Sequence, residues 1–238
     1  MSGYGQFCPV AKAMELLDER WTLLVVRELL AGSRHFNDIR RGVPRMSPTL
    51  LSRRLRTLIK AGLVERRFDG GRTSYALTPA GHELRPIVEA LGRWGMRWVP
   101  ELGDDDLDPH MLMWDIHRSV DLDTAAANGR TVLRFTFADV LGSARDWWVV
   151  IEPTGTGLCD FDPGYPVAAT VEADLRTLTL VWRGELTWRE ATKAGRLAVL
   201  GPTAIRRAVP HWLNLSAFAS SALPASALAT TAPVPAGR

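Results

Sequence analysis

Two cysteines in 238 residues, Cys8 and Cys159, are too few for a disulfide framework or a four-ligand zinc site, and they fit a reducing compartment. Long apolar runs are also missing. None approaches the roughly 18 residues that span a bilayer, and the opening MSGYGQFCPV has neither the charged leader nor the apolar centre of a secretory signal. A soluble, cytoplasmic protein is expected. Catalytic signatures are absent as well: there is no P-loop, no glycine-rich dinucleotide fingerprint and no nucleophile elbow. The five histidines, His35, His82, His110, His117 and His211, are scattered without close metal-ligand spacing to cysteine or carboxylate. Asp104, Asp105 and Asp106 read as a solvated run more than as a metal site. The expectation is therefore a protein that is not an enzyme and holds no metal or other cofactor.

What is present is charge, unevenly placed. Residues 1–100 carry 17 Lys and Arg against 9 Asp and Glu, a net of +8, whereas residues 101–238 carry 12 against 17, a net of −5. Neutralising phosphates supplies most non-specific affinity for nucleic acid, so a basic half joined to an acidic one points to a polyanion-binding module and a module with another task.

Turn and cap signals divide the basic half into elements. Trp21 to Leu30 is a dense apolar run stopped by Ala31-Gly32, and Phe36 to Arg41 makes a short helix halted by Gly42-Val43-Pro44. Ser47-Pro48 supplies an N-cap and a proline at the first helical position, and the helix it opens runs to Gly62. LVERRF and TSYAL bracket Asp69-Gly70-Gly71 as a hairpin. Thr78-Pro79 then opens a capped helix predicted to continue to about Trp98. Helices, a hairpin and a closing helix in this order make a winged helix-turn-helix. The acidic ELGDDDLDP marks the boundary, as a compact turn or a free linker. Beyond it VLRFTF, DWWVVIE, PVAATVEA and GRLAVLG read as strands, with helices after Asp174 and Thr187 and from Pro202 to Leu213. The fold class is α+β: a winged helix-turn-helix over residues 1–103, an α+β domain over 104–222, and a Pro/Ala/Thr-rich tail over 223–238 that is expected to be disordered.

The helix after Ser47 sorts its chemistry by face. Leu51, Leu55 and Leu58 recur at i, i+4 and i+7, while Thr49, Arg53, Arg56 and Lys60 gather opposite them with Ser52 alongside. Arg54 lies toward the apolar side and suits an ion pair. Surface helices usually interleave signs to gain i,i+4 pairs, yet residues 34–60 hold eight Lys and Arg and a single acid, Asp38. The face therefore reads as one turned to DNA. Ser47, Thr49, Ser52 and Arg53 are placed to reach base edges, because recognition helices enter the major groove by their N-terminal part. Arg56 and Lys60 are placed to grip phosphates, as are Arg34 and His35 before the short helix and Arg72 and Thr73 at the hairpin tip. Of Arg66 and Arg67, which alternate sides of a strand, only one can face DNA.

The residues CPVAKAMELLDERWTLL, RHFNDIRR, SPTLLSRRLR and YALTPAG, in this order over roughly residues 7–98, resemble the HxlR-type winged-helix transcriptional regulators, which are related to the MarR group. Arg20 stands where the family usually has lysine. The resemblance implies a homodimer, joined through its first and last helices, on a near-palindromic operator in double-stranded DNA. Met14, Leu17, Leu91, Trp94 and Trp98 are either that seam or intramolecular core. Cys8 matches an N-terminal cysteine that senses electrophiles or oxidants in some members, and is read either as such a redox-sensing thiol or as a small structural residue. VEADLRTLTLVWRGELTWREATKAGRLAVLGP resembles, more distantly, sterol-carrier-protein-like domains, which implies a tunnel for an apolar or lipid-like small molecule. Phe135, Trp148, Trp182, Leu197 and Trp212 are its candidate lining; each is otherwise ordinary core. The alternative for this half is a structural or protein-interaction module with no small-molecule effector.

Overall fold

The structure is a computed structural model that describes residues 3–99 and 101–219, so the expected C-terminal tail lies outside the described residues. Backbone contacts divide the chain into two compact units between Leu91 and Gly92. Among the described residues no helix is long and apolar enough to cross a membrane.

The first unit contains α1 (Pro9–Leu17), α2 (Thr22–Leu30), α3 (Phe36–Gly42), α4 (Pro48–Lys60), the antiparallel hairpin β1 (Val64–Asp69) and β2 (Arg72–Leu77), a single turn α5 (Pro79–His82) and the start of α6 (Arg85–Trp98). Its core joins Val25, Val26 and Leu29 of α2, Ile39 of α3 and Leu51, Leu55 and Leu58 of α4 to Val64 and Leu77 at the root of the hairpin. The predicted continuous helix from Thr78 is in fact two. Pro86 has no N–H to bond one turn back, so α6 starts afresh with proline in its first turn, where a missing donor costs nothing. The YALTPAG motif has a packing explanation. Thr78 caps the turn by accepting from the Gly81 N–H and donates its hydroxyl to the Gly62 carbonyl at 2.6 Å. Gly81 lies so close to the Leu63 carbonyl that a Cβ there would stand 2.1 Å from the oxygen.

Two further short turns aside, the second unit contains the end of α6, α7 (Pro109–His117), α8 (Leu122–Ala125), β3 (Thr131–Phe137), β4 (Asp146–Glu152), β5 (Gly155–Cys159), β6 (Ala169–Ala173), α9 (Leu175–Arg183), α10 (Trp188–Lys193), β7 (Leu197–Leu200) and α11 (Thr203–Trp212). Its sheet has the order β5-β4-β3-β6-β7, with β3 and β6 parallel and the other neighbours antiparallel. Leu133, Phe135, Phe137, Trp147, Val149, Ile151 and Val171 share one face and pack against α7, α9 and α11 through Met113, Ile116, Leu178, Val181 and Val209. The other face carries the Arg134–Asp146 ion pair, with the Arg134 guanidinium over the Trp148 ring. The acidic segment is a compact turn: Asp104 pairs with Arg176 of α9 at 2.5 Å, and the Leu102 carbonyl accepts from the same guanidinium.

Candidate nucleic-acid interface

α4 starts at Ser47-Pro48. The Ser47 hydroxyl accepts from the Leu50 N–H at 3.3 Å, and Pro48 follows with φ already set for a helix. From there Leu51, Leu55 and Leu58 are buried, while Thr49, Arg53, Arg56 and Lys60 are exposed on the opposite side and Ser52 is half-buried at the edge. Arg54 is 7% exposed; its guanidinium pairs with Glu19 and donates to the Arg20 carbonyl, so it ties α4 to the α1–α2 connection and is unavailable to DNA.

The turn before α4 is held from beneath by a buried acid. Glu28 of α2 is wholly buried, where it accepts from the Arg27 guanidinium at 2.8 Å and the Ser33 hydroxyl at 3.1 Å. Arg27 also donates to the Gly42 carbonyl at 2.7 Å, so one guanidinium joins the end of α3 to α2. Gly42 faces the Glu28 carboxyl so closely that a Cβ would lie 1.9 Å from its carbon. A packing of α2 against α3 that broke these bonds would leave the Glu28 charge buried and uncompensated. In the sequence the only signals for this role of Glu28 are the adjacent Arg27 and the glycine at position 42.

The hairpin is joined to the same region. The Tyr75 N–H donates to the Arg34 carbonyl at 2.8 Å, and the His35 Nδ1–H donates to the Thr73 carbonyl at 3.0 Å. His35 is thus a strut of the hairpin, with one ring nitrogen committed and a phosphate contact left to the other. Arg66 reaches the Thr73 hydroxyl at 3.4 Å; Arg67, on the opposite face, pairs with Glu65. Arg34 and Arg72 are exposed. Of the residues read as DNA contacts, Ser47 is engaged as a cap and His35 and Thr73 are bonded to each other near the hairpin tip, while Thr49, Arg53, Arg56, Lys60, Arg34 and Arg72 present free surface to solvent.

Of the seam residues, Leu17 is buried in the core of the first unit, whereas Met14, Leu91, Trp94 and Trp98 are exposed, Trp94 by 58%. Cys8 is half-buried at the N-cap of α1. Burial and the neighbouring Asp160 push the Cys159 thiol up, away from reactive thiolate.

In the second unit a small apolar pocket, partly open to solvent, lies among Ile116, Leu178, Val181, Trp182, Trp188 and Leu213, with room for about one water. Trp182 of the five candidate lining residues takes part. Phe135, Leu197 and Trp212 belong to the packed core, and Trp148 lies on the far face of the sheet. Trp188 Nε1 is buried there without a hydrogen-bond partner. Among the described residues no cluster of His, Cys, Asp and Glu is placed to hold a metal ion.

A capped helix with an unopposed basic face, a helix locked beneath it and a two-stranded wing define the winged helix-turn-helix class. Residues 16–102 match the model of the HxlR-like helix-turn-helix family. The HTH-type transcriptional regulator YvaP of Bacillus subtilis is 36% identical over 98 residues, spanning 40% of this chain and 91% of that protein. An HTH-type transcriptional regulator of Mycobacterium tuberculosis is 44% identical over 96 residues, 38% of this chain and 59% of that protein. The chain thus spans little more than half the length of its mycobacterial relatives. The reduced form of the Bacillus subtilis transcriptional regulator YodB is 27% identical and covers 41% of this chain and all of that one, with a TM-score of 0.36. The chain belongs to the HxlR-like helix-turn-helix family.

Proposed function

We propose that the protein is a dimeric transcriptional regulator that binds a specific double-stranded DNA operator through α4 and the hairpin. The observation that carries this reading is the exposed face of Thr49, Arg53, Arg56 and Lys60 on a helix whose opposite face is fully buried. Arg53, near the N-terminal half of α4, reads a base edge; Arg56, Lys60, Arg34 and Arg72 neutralise phosphates. Met14, Leu91, Trp94 and Trp98 supply apolar surface for the dimer seam. The relatives' naming as HTH-type transcriptional regulators supports the same reading and points away from catalysis. Arg56→Ala and Lys60→Ala will each weaken binding to all duplexes alike and flatten the salt dependence by about one unit of slope per site. Gel-shift titration across a salt series measures both; an unchanged slope in both variants would remove the phosphate assignment.

For the second unit the finer reading is a site for an apolar small molecule that biases the arrangement of the two recognition helices, an effect limited to its differential affinity for the two arrangements. The unpartnered Trp188 indole N–H, buried beside Trp182 and Ile116, supports it. The densely packed core supports the other reading, a protein-interaction module. Native mass spectrometry of the full chain with added fatty acyl and steroid-like compounds separates the two: a retained adduct that shifts DNA affinity supports the effector, and its absence across both compound classes supports the interaction module.

A further inference from the structure

An aromatic side chain stands at the tip of the basic hairpin. In the register of β1 and β2, Val64 opposes Leu77, Arg66 opposes Tyr75 and Phe68 opposes Thr73, so all six lie on one face. The first pair is buried and Tyr75 is half-buried, but Phe68 is 74% exposed. The face that starts in the core thus runs out past it and ends on a phenyl ring in water. Single exposed apolar residues are common and need no role. Three features separate this one. Its flanks, Arg66, Arg67 and Arg72, are positive, with Arg67 paired to Glu65, so a partner that covers Phe68 also meets guanidinium groups. An apolar protein surface would bury those charges at a cost, whereas duplex DNA offers phosphates to the arginines and the apolar stack of its bases to the ring. The tip is also narrow: Gly70 and Gly71, at φ +54° and +80°, close the strands with a two-residue turn and no side chains at its end. That suits a minor groove about 6 Å wide. Finally, strand β2 is tied down along its length by the Tyr75–Arg34 and His35–Thr73 hydrogen bonds, the second at the residue opposite Phe68, so the hairpin pushes as a rigid blade and not as a loose loop.

We infer that Phe68 is a wedge: with the hairpin seated in the minor groove, its ring enters between two stacked base pairs and opens the step. This rests on the DNA-binding reading above. An aromatic wedge selects sequence through deformability, because pyrimidine–purine steps unstack most cheaply. It therefore adds specificity at a position outside the reach of α4, without a hydrogen bond to any base.

The test uses the full chain and a duplex that the wild-type protein enriches from a random-sequence pool, with 2-aminopurine substituted at the pyrimidine–purine steps flanking the recognised sequence. Wild-type protein raises the fluorescence at one such step. Phe68→Ala abolishes that rise and lowers affinity for this duplex about tenfold, the worth of one base–aromatic stack, while its melting temperature equals the wild type's because the ring contributes nothing to the core. Unchanged fluorescence and affinity in Phe68→Ala, or a lowered melting temperature, overturns the wedge. If the wedge alone is wrong, the enriched duplex still loses binding when Arg53 is replaced. A wild-type protein that enriches no duplex overturns the DNA-binding reading and the wedge with it.

Discussion

Arg53→Ala will keep its fold and lose its sequence preference. Arg53 is exposed on α4, so its removal leaves no cavity and no stranded partner in the free protein. On DNA its guanidinium is the group able to hold guanine O6 and N7 together, and losing one such bidentate contact costs about 1 to 3 kcal/mol of discrimination. The preferred duplex should bind the variant little better than a scrambled one, while binding to scrambled DNA falls only by the share of one phosphate-attracted charge. Arg54→Ala provides the contrast. Its guanidinium faces inward to Glu19 and the Arg20 carbonyl, so that substitution acts on stability and not on base choice. A wild-type preference in Arg53→Ala would reassign the base reader.

Gly42→Ala will cost the first unit its stability. The added methyl would occupy the place of the Glu28 carboxyl, 1.9 Å from its carbon, and that carboxyl cannot swing aside without leaving Arg27 and Ser33 and remaining buried. Overpacking alone costs about 1 to 3 kcal/mol, and displacing a paired buried charge adds to it. For a unit of this size each kcal/mol lowers the melting temperature by about 4 to 8 °C, so a drop of about 10 °C or more is expected in a thermal melt. The cause can be isolated by a double-mutant cycle. In a Glu28→Ala background the same glycine substitution should be nearly neutral, because the clash is gone. An equal cost in both backgrounds would show that Gly42 is required for some reason other than Glu28.

What the sequence made legible was local. The faces of α4, its Ser47-Pro48 start and the Gly70-Gly71 hairpin each announce themselves within a few residues, through a 3.6-residue period, a cap or a turn. Features that depend on distant partners stayed hidden. Glu28 reads as one more charged helix position until α3 and Ser33 close over it. His35 carries the same basic label as a phosphate contact, and only the hairpin reveals that its Nδ1 is spent on the Thr73 carbonyl. β5 escaped notice because GTGLC lacks apolar alternation and is defined by its pairing with β4. α7 was within reach, since Asp108-Pro109 is a good helix start and the Asp108 carboxylate does cap it, accepting from the His110 and Met111 N–H groups. The break before α6 was within reach too, at Pro86. Aromatic content could not distinguish pocket from core in the second unit: Phe135 and Trp212 are both large, apolar and close-packed, and only the three-dimensional position of Trp182 sets it apart.

The central claim, that the outer face of α4 reads DNA sequence, is tested most directly by side-by-side enrichment from a random duplex pool with the full-length wild-type and Arg53→Ala proteins. The account predicts that the wild type enriches a two-fold-related pair of half-sites with centres about one helical turn, roughly 34–36 Å, apart, with a conserved guanine in each, and that Arg53→Ala enriches nothing at that position. Enrichment of the same motif by both proteins, or of none by the wild type, would contradict it.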